Sequence, residues 1–166
     1  MTLLAAQRVK DFGITPKVAM LSHSNFGSHQ CATANKMREA CADVKARDSK
    51  LEIDGEMHAD TALSFKIRET IMPNSTLKDR ANLMIMPNIE AANISFNMLK
   101  VLGDGIPVGP LLLGMKKPAH ILTSATTARG ILNMTAIVCV EAQKNAKSKK
   151  SSKKKTSTKA SKKKTA

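Results

Sequence analysis

Apolar residues along this chain follow two rhythms. Val18–Leu21 and Leu83–Met86 are short unbroken apolar runs, as expected of strands buried on both faces. Leu51–Ile53 opens a further strand. Between the runs the spacing lengthens. Ala34, Met37, Cys41 and Val44 step by three, four and three, which predicts a helix with one buried stripe. Its opposite face carries Lys36, Arg38, Glu39, Lys45 and Arg47. Residues 3–12 read as a helix stopped at Gly13, with Pro16 opening the next element. "HADTALSFKIRETI" predicts one more helical stretch, and "IMPNSTLKDRA" a turn-rich connection. Pro87 ends the strand over 83–86. Asn88 then stands where an N-cap belongs, Glu90 falls in the first turn, and Ile89, Ala92, Phe96 and Leu99 form the expected inward stripe up to Gly103. "GIPVGPLLLG" predicts a strand with a loop, and Ile131, Met134 and Val138 mark a last helix. Short apolar strands alternating with helices predict an α/β fold: a mainly parallel sheet with flanking helices.

Composition alters this picture at the C-terminal end. Residues 144–166 contain 11 Lys, no acid and no large apolar side chain. No burial is available to offset the entropy of ordering them, so a disordered Lys-rich tail is expected beyond a domain over 1–143. Charge follows the same division. The chain carries +14, and removing the 11 tail lysines leaves +3. Such a tail offers nonspecific polyanion contact through counterion release, without aromatic or Arg interruptions to stack on bases.

The three cysteines, Cys31, Cys41 and Cys139, have no CxxC spacing, and no apolar run approaches the length of a membrane span. With no signal peptide at its start, the chain is expected to be cytoplasmic, with reduced thiols. The absence of Trp and Tyr beside ten Met predicts an aliphatic, adaptable core.

Four local patterns suggest chemistry. "EIDGEMHAD" gathers Asp54, Glu56, His58 and Asp60, but without a metal-ligand spacing, so capping and surface charge explain it and no metal is expected. "GDGIPVG" follows a helix, not a strand, and reads as a helix stop and a turn. His23, Ser24 and His29 lack an orienting acid for a hydrolase triad. The loop after the first strand is the stronger candidate. Ser22, Ser24, Asn25, Gly27 and Ser28 lie between a buried strand and a helix start near Ala32. In open α/β sheets ligands gather at that end of the strands, and free N–H groups with nearby hydroxyls suit a phosphate. A purely structural loop is the alternative.

Four longer stretches carry a resemblance: "VAMLSHSNFGS", "IDGEMHADTAL", "MPNSTLKDRANLMIMPNIEAANISFNMLKVLG" and "GIPVGPLLLGMKKPAHIL". Over about Thr2 to Gln143 the chain resembles the phosphate acetyl/butyryltransferase family. Within that family it is similar to the phosphotransacetylase-like C-terminal region of bacterial NADP-dependent malic enzymes. The resemblance implies an isocitrate dehydrogenase-like architecture of two α/β lobes with the site between them. It also implies that this chain corresponds only to the later half, a partial domain with Met1 falling mid-domain, as a truncated, split or degraded gene would give. Active transacetylases place a Ser-Arg pair after the segment matching "KPAHIL" and an Asp six residues beyond the Arg. The Arg clamps phosphate and the Asp takes the proton of the CoA thiol. Here those positions carry Thr123, Ser124 and Gly130, and Phe26 replaces a loop lysine.

The resemblance therefore implies no catalytic residue in this chain. It implies a fragment of a regulatory, acetyl-CoA-sensing and oligomerisation region, with Ser22, Ser24, Asn25, Gly27, Ser28, Thr123 and Ser124 as candidate acetyl-CoA or phosphate contacts. NADP and a divalent metal would serve only the parent enzyme, which oxidatively decarboxylates malate to pyruvate. Expected partners are further copies of the chain or a companion chain supplying the missing lobe. A phosphate acetyltransferase completed by such a partner, and a polyanion-binding protein acting through its tail, are the alternatives.

Overall fold

The computed structural model describes residues 1–124 and 126–162, with side chains through residue 146. The chain divides into two units, Met1–Gly105 and Ile106–Ala166.

The first unit is built on a parallel sheet of three strands: β1 (Lys17–Leu21), β2 (Glu52–Met57) and β3 (Leu83–Ile85), in the order β2-β1-β3. Lys17 pairs with Glu52 and Val18 with Ile53 on one side of β1, and Val18 pairs with Leu83 on the other. β1 is therefore central. Because successive strand residues point to opposite faces, both faces of β1 are covered. Val18 and Met20 pack with Ala6, Met37, Cys41, Val44, Leu51, Ile53 and Ile85, whereas Ala19 and Leu21 pack with Met57, Ala62, Leu77 and Ala81. This two-sided burial is the reason β1 is apolar without alternation.

The first face is covered by α1 (Thr2–Asp11) and α2 (Ala32–Arg47). All four residues of the expected α2 stripe are buried. Gly13 ends α1 at φ +77°, where only glycine is unstrained, and this lets the Ile14 amide donate back to the Val9 carbonyl at 3.2 Å. On the second face, the single helix expected from 58–71 is two short ones, α3 (Ala59–Leu63) and α4 (Phe65–Ile71). Ser64 separates them with extended backbone, and its hydroxyl accepts from the Ile67 amide. Arg68, buried on α4, donates to the carbonyls of Thr61, Ala62, Leu77 and Asp79, pinning the turn-rich connection to the helix pair.

Two expectations fail here. α5 (Ile89–Leu102) starts as predicted, with the Asn88 side chain accepting from the Ala91 amide at 2.8 Å, but it buries no residue. Ile89 is 75% exposed, Phe96 50% and Leu99 55%, so the expected inward stripe is uncovered among the described residues. "GIPVGPLLLG" is not a strand: residues 106–113 carry no regular structure, and Gly109 sits at φ +138°. With prolines at 107 and 110 and no paired neighbour among the described residues, the segment has no ladder to join.

In the second unit, irregular chain leads to α6 (Ala128–Lys162). The buried His120 ring joins the two. Its Nδ1 accepts from the Leu112 amide at 3.1 Å, and its Nε2 lies 3.3 Å from Glu141 Oε1. Met134 is buried, whereas Ile131, expected beside it, is half exposed. α6 runs on to Lys162, so the backbone is helical where the composition predicts a disordered tail. Lys and Ala are good helix formers, and an existing helix is extended at little cost. Residues 163–166 of that tail lie outside the described residues. No helix among the described residues is long and apolar enough to cross a membrane.

Candidate functional site

At the carboxyl end of β1 the chain turns through residues 22–31 before α2 begins. The loop lies along the end of β2: the Ser22 amide donates to the Met57 carbonyl and the Phe26 amide to the Glu56 carbonyl, at 2.9 and 2.8 Å. Phe26 and Gly27 both take positive φ, +48° and +93°. The resulting concave turn closes around a side chain from β2.

That side chain is Glu56. It is fully buried. Its Oε1 accepts from the Ser24 hydroxyl at 2.8 Å, the Gly27 amide at 2.8 Å and Arg38 Nη2 at 2.9 Å, and its Oε2 accepts from Arg38 Nε at 2.9 Å. Burial pushes the carboxyl upward. The two-pronged Arg38 contact, the Gly27 amide and the Ser24 hydroxyl outweigh it and hold the pKa at about 2. The carboxylate is thus the anion that these loop donors hold.

The other loop groups are bonded to one another. The Ser24 hydroxyl also accepts from the His29 amide and meets Ser28 Oγ at 3.3 Å. Ser28 Oγ accepts from the Asn25 amide, and Asn25 Oδ1 from the His58 amide. Ser22 Oγ accepts from the Ser24 amide. The structure therefore brings Ser22, Ser24, Asn25, Gly27 and Ser28 together, with Ser24 fully buried and Ser28 exposed. Thr123 and Ser124 belong to the second unit. Both are exposed ahead of α6, and the Thr123 carbonyl accepts from the Thr126 amide.

The acidic group at 54–60 is dispersed. Asp54 takes Lys45, the Ser75 hydroxyl and the Thr76 amide, and these contacts lower its pKa against the opposing effect of burial. Asp60 turns back to the Thr61 amide. Among the described residues, no group of three His, Cys, Asp or Glu side chains could hold a metal ion. Glu56 and Arg38, which organise the loop, are absent from the expected site residues. The available signal was a carboxylate in a strand whose neighbours are apolar, since such a charge needs a buried partner.

A parallel sheet with helices on both faces and a polar loop beyond its central strand defines an α/β protein, and comparison with solved structures makes its fold phosphotransacetylase-like. Two solved structures superimpose on it. A phosphotransacetylase from Streptococcus pyogenes matches at a TM-score of 0.82 and 30% identity, over 86% of this chain and 44% of that one. A phosphotransacetylase from Staphylococcus aureus matches at 0.76 and 35%, over 84% and 43%. The family described as phosphate acetyl/butaryl transferase matches residues 1–139, and the chain belongs to that family. The NADP-dependent malic enzyme of Escherichia coli is 53% identical over 143 residues, which are 86% of this chain and 19% of that enzyme. The chain thus spans about a fifth of the malic enzyme and under half of the phosphotransacetylases.

Proposed function

We propose that this chain is the later half of the phosphotransacetylase-like region of a malic enzyme, and that it binds acetyl-CoA as an effector without transferring its acyl group. The observation that carries the reading is the internal carboxylate of the loop. Glu56 engages the Ser24 hydroxyl, the Gly27 amide and the Arg38 guanidinium, so the donors that would stabilise a reacting phosphate are already bound to an anion. Phe26 at the loop and Ser124 and Gly130 further on supply neither a cation nor a base. In this reading Ser22, Ser24, Asn25 and Gly27 shape the loop and the exposed Ser28 hydroxyl meets the ligand, while Thr123 and Ser124 are candidate ligand contacts of the second unit taken by itself.

NADP and the divalent metal of malate oxidation belong to the part of the malic enzyme that this chain does not cover, and no residue here is assigned to them. The chain works beside another, either a further copy or a companion supplying the earlier lobe. The uncovered α5 supports this, because large apolar side chains left open along a whole helix mark an interaction surface. The test is arsenolysis of acetyl phosphate in the presence of CoA. The full chain is expected to give no turnover above a blank; turnover would replace the effector reading with the acetyltransferase one.

A further inference from the structure

Beyond the Glu56 network, the same loop carries a nucleophile that the proposed function does not use. Cys31 is the N-cap residue of α2 and is partly exposed. Its Sγ lies 3.5 Å from Nε2 of His23, which reaches it from the opposite limb of the loop, and 3.4 Å from the Thr33 hydroxyl. His23 is itself held in place. His29 stands edge-on to its ring, with centroids 5.5 Å apart, and His58 Nε2 lies 2.9 Å from its backbone carbonyl. A thiol, an imidazole within proton-sharing distance and a supported ring orientation are the elements of an activated thiol.

The other two cysteines provide internal references. Cys41 is buried in the core under α2, and burial pushes its thiol up to about 11. Cys139 is exposed on α6. At Cys31 the Thr33 hydroxyl and the Ala34 amide at the helix start, aided by the Arg38 charge, outweigh burial and hold the thiol below its ordinary range.

We propose that Cys31 and His23 form a thiol–imidazole pair that undergoes exchange with small-molecule disulfides. The Cys31 proton passes to His23, and the thiolate attacks one sulfur of the disulfide. The disulfide bond breaks as the mixed disulfide forms, and the departing thiolate takes the proton back from His23. One disulfide is consumed, and one mixed disulfide and one free thiol result, so the incoming disulfide is the only oxidant. The mixed disulfide would stand at the rim of the loop beside His29 and the N-terminus of α2. This inference does not depend on acetyl-CoA binding.

The test uses the full chain with oxidised glutathione and, for rates, an aromatic disulfide whose released thiolate absorbs visibly. Peptide mapping is expected to place the adduct on Cys31, with Cys139 reacting ~10-fold more slowly and Cys41 only after unfolding. Cys31→Ser removes the fast phase and Cys139→Ser keeps it. His23→Gln slows the fast phase ~10-fold at neutral pH and much less in mildly alkaline buffer, where the thiol ionises unaided. A purely structural His23 would give no such pH-dependent difference. Since His23 is exposed, circular dichroism should show the variant folded like the parent. Equal rates at Cys31 and Cys139, or a His23→Gln rate unchanged across pH, would overturn the proposal.

Discussion

Glu56 holds a negative charge away from solvent, and three kinds of donor share in stabilising it: a guanidinium, a backbone amide and a hydroxyl. Its carboxyl titrates at about 2 in the folded chain, below an ordinary value of 4.5. The unfolded chain therefore takes up the proton first as the pH falls. The stabilisation is complete above about pH 4.5 and is lost between there and about pH 2, with Asp54 acting in the same direction. Glu56→Gln should cost about 1–3 kcal/mol at neutral pH and flatten the acid limb of the stability profile; urea titrations across that range would measure both. An unchanged acid limb would mean that Glu56 does not anchor the loop. At this scale the sequence was partly legible. Ser22 to Ser28 stood out as a polar loop behind an apolar strand, whereas the carboxylate that organises it lies some thirty residues further along the chain. No local pattern pairs Glu56 with Ser24 or with Arg38; only the parallel register of β1 and β2 brings them together.

Elements whose stability comes from within the first unit follow their sequence patterns closely. β1 and α2 do so because their apolar residues meet the sheet core on both sides. α5 and the 106–113 segment do not. Their apolar residues are as regular or as numerous, but α5 buries none of its own among the described residues and 106–113 finds no strand to pair with there, and periodicity reports a face without saying what will cover it. Ser64 shows the converse, a single residue whose capping bond divides one expected helix in two. Arg68 tests the stability of that region. Arg68→Met would take a shared donor from four carbonyls, those of Thr61 and Leu77 buried, and the expected loss is about 1–3 kcal/mol, with faster amide exchange over 73–81. Protection unchanged over those residues would show that the connection is held by other contacts. Leu99→Ser belongs to the opposite class. On an uncovered helix it should alter stability by no more than ~0.5 kcal/mol, and sedimentation is expected to show weaker association between copies than the proposed α5 surface gives the parent. A large loss of stability would show that α5 is packed in solution.

For the molecule as a whole, family membership and fold are established by residues 1–139 and by the superposition on two phosphotransacetylases. The chain nevertheless spans under half of those structures, so its role has to be tested on what it retains. The proposed function requires the loop to bind acetyl-CoA although its donors have turned inward to Glu56. A ligand that selects the native state must raise its stability, by about 2.7 kcal/mol when present at a hundred times its dissociation constant. The direct measurement is a thermal melt of the full chain, followed by circular dichroism with and without excess acetyl-CoA. A cooperative transition that moves to higher temperature with the ligand is expected. A transition at the same temperature in both samples would contradict it.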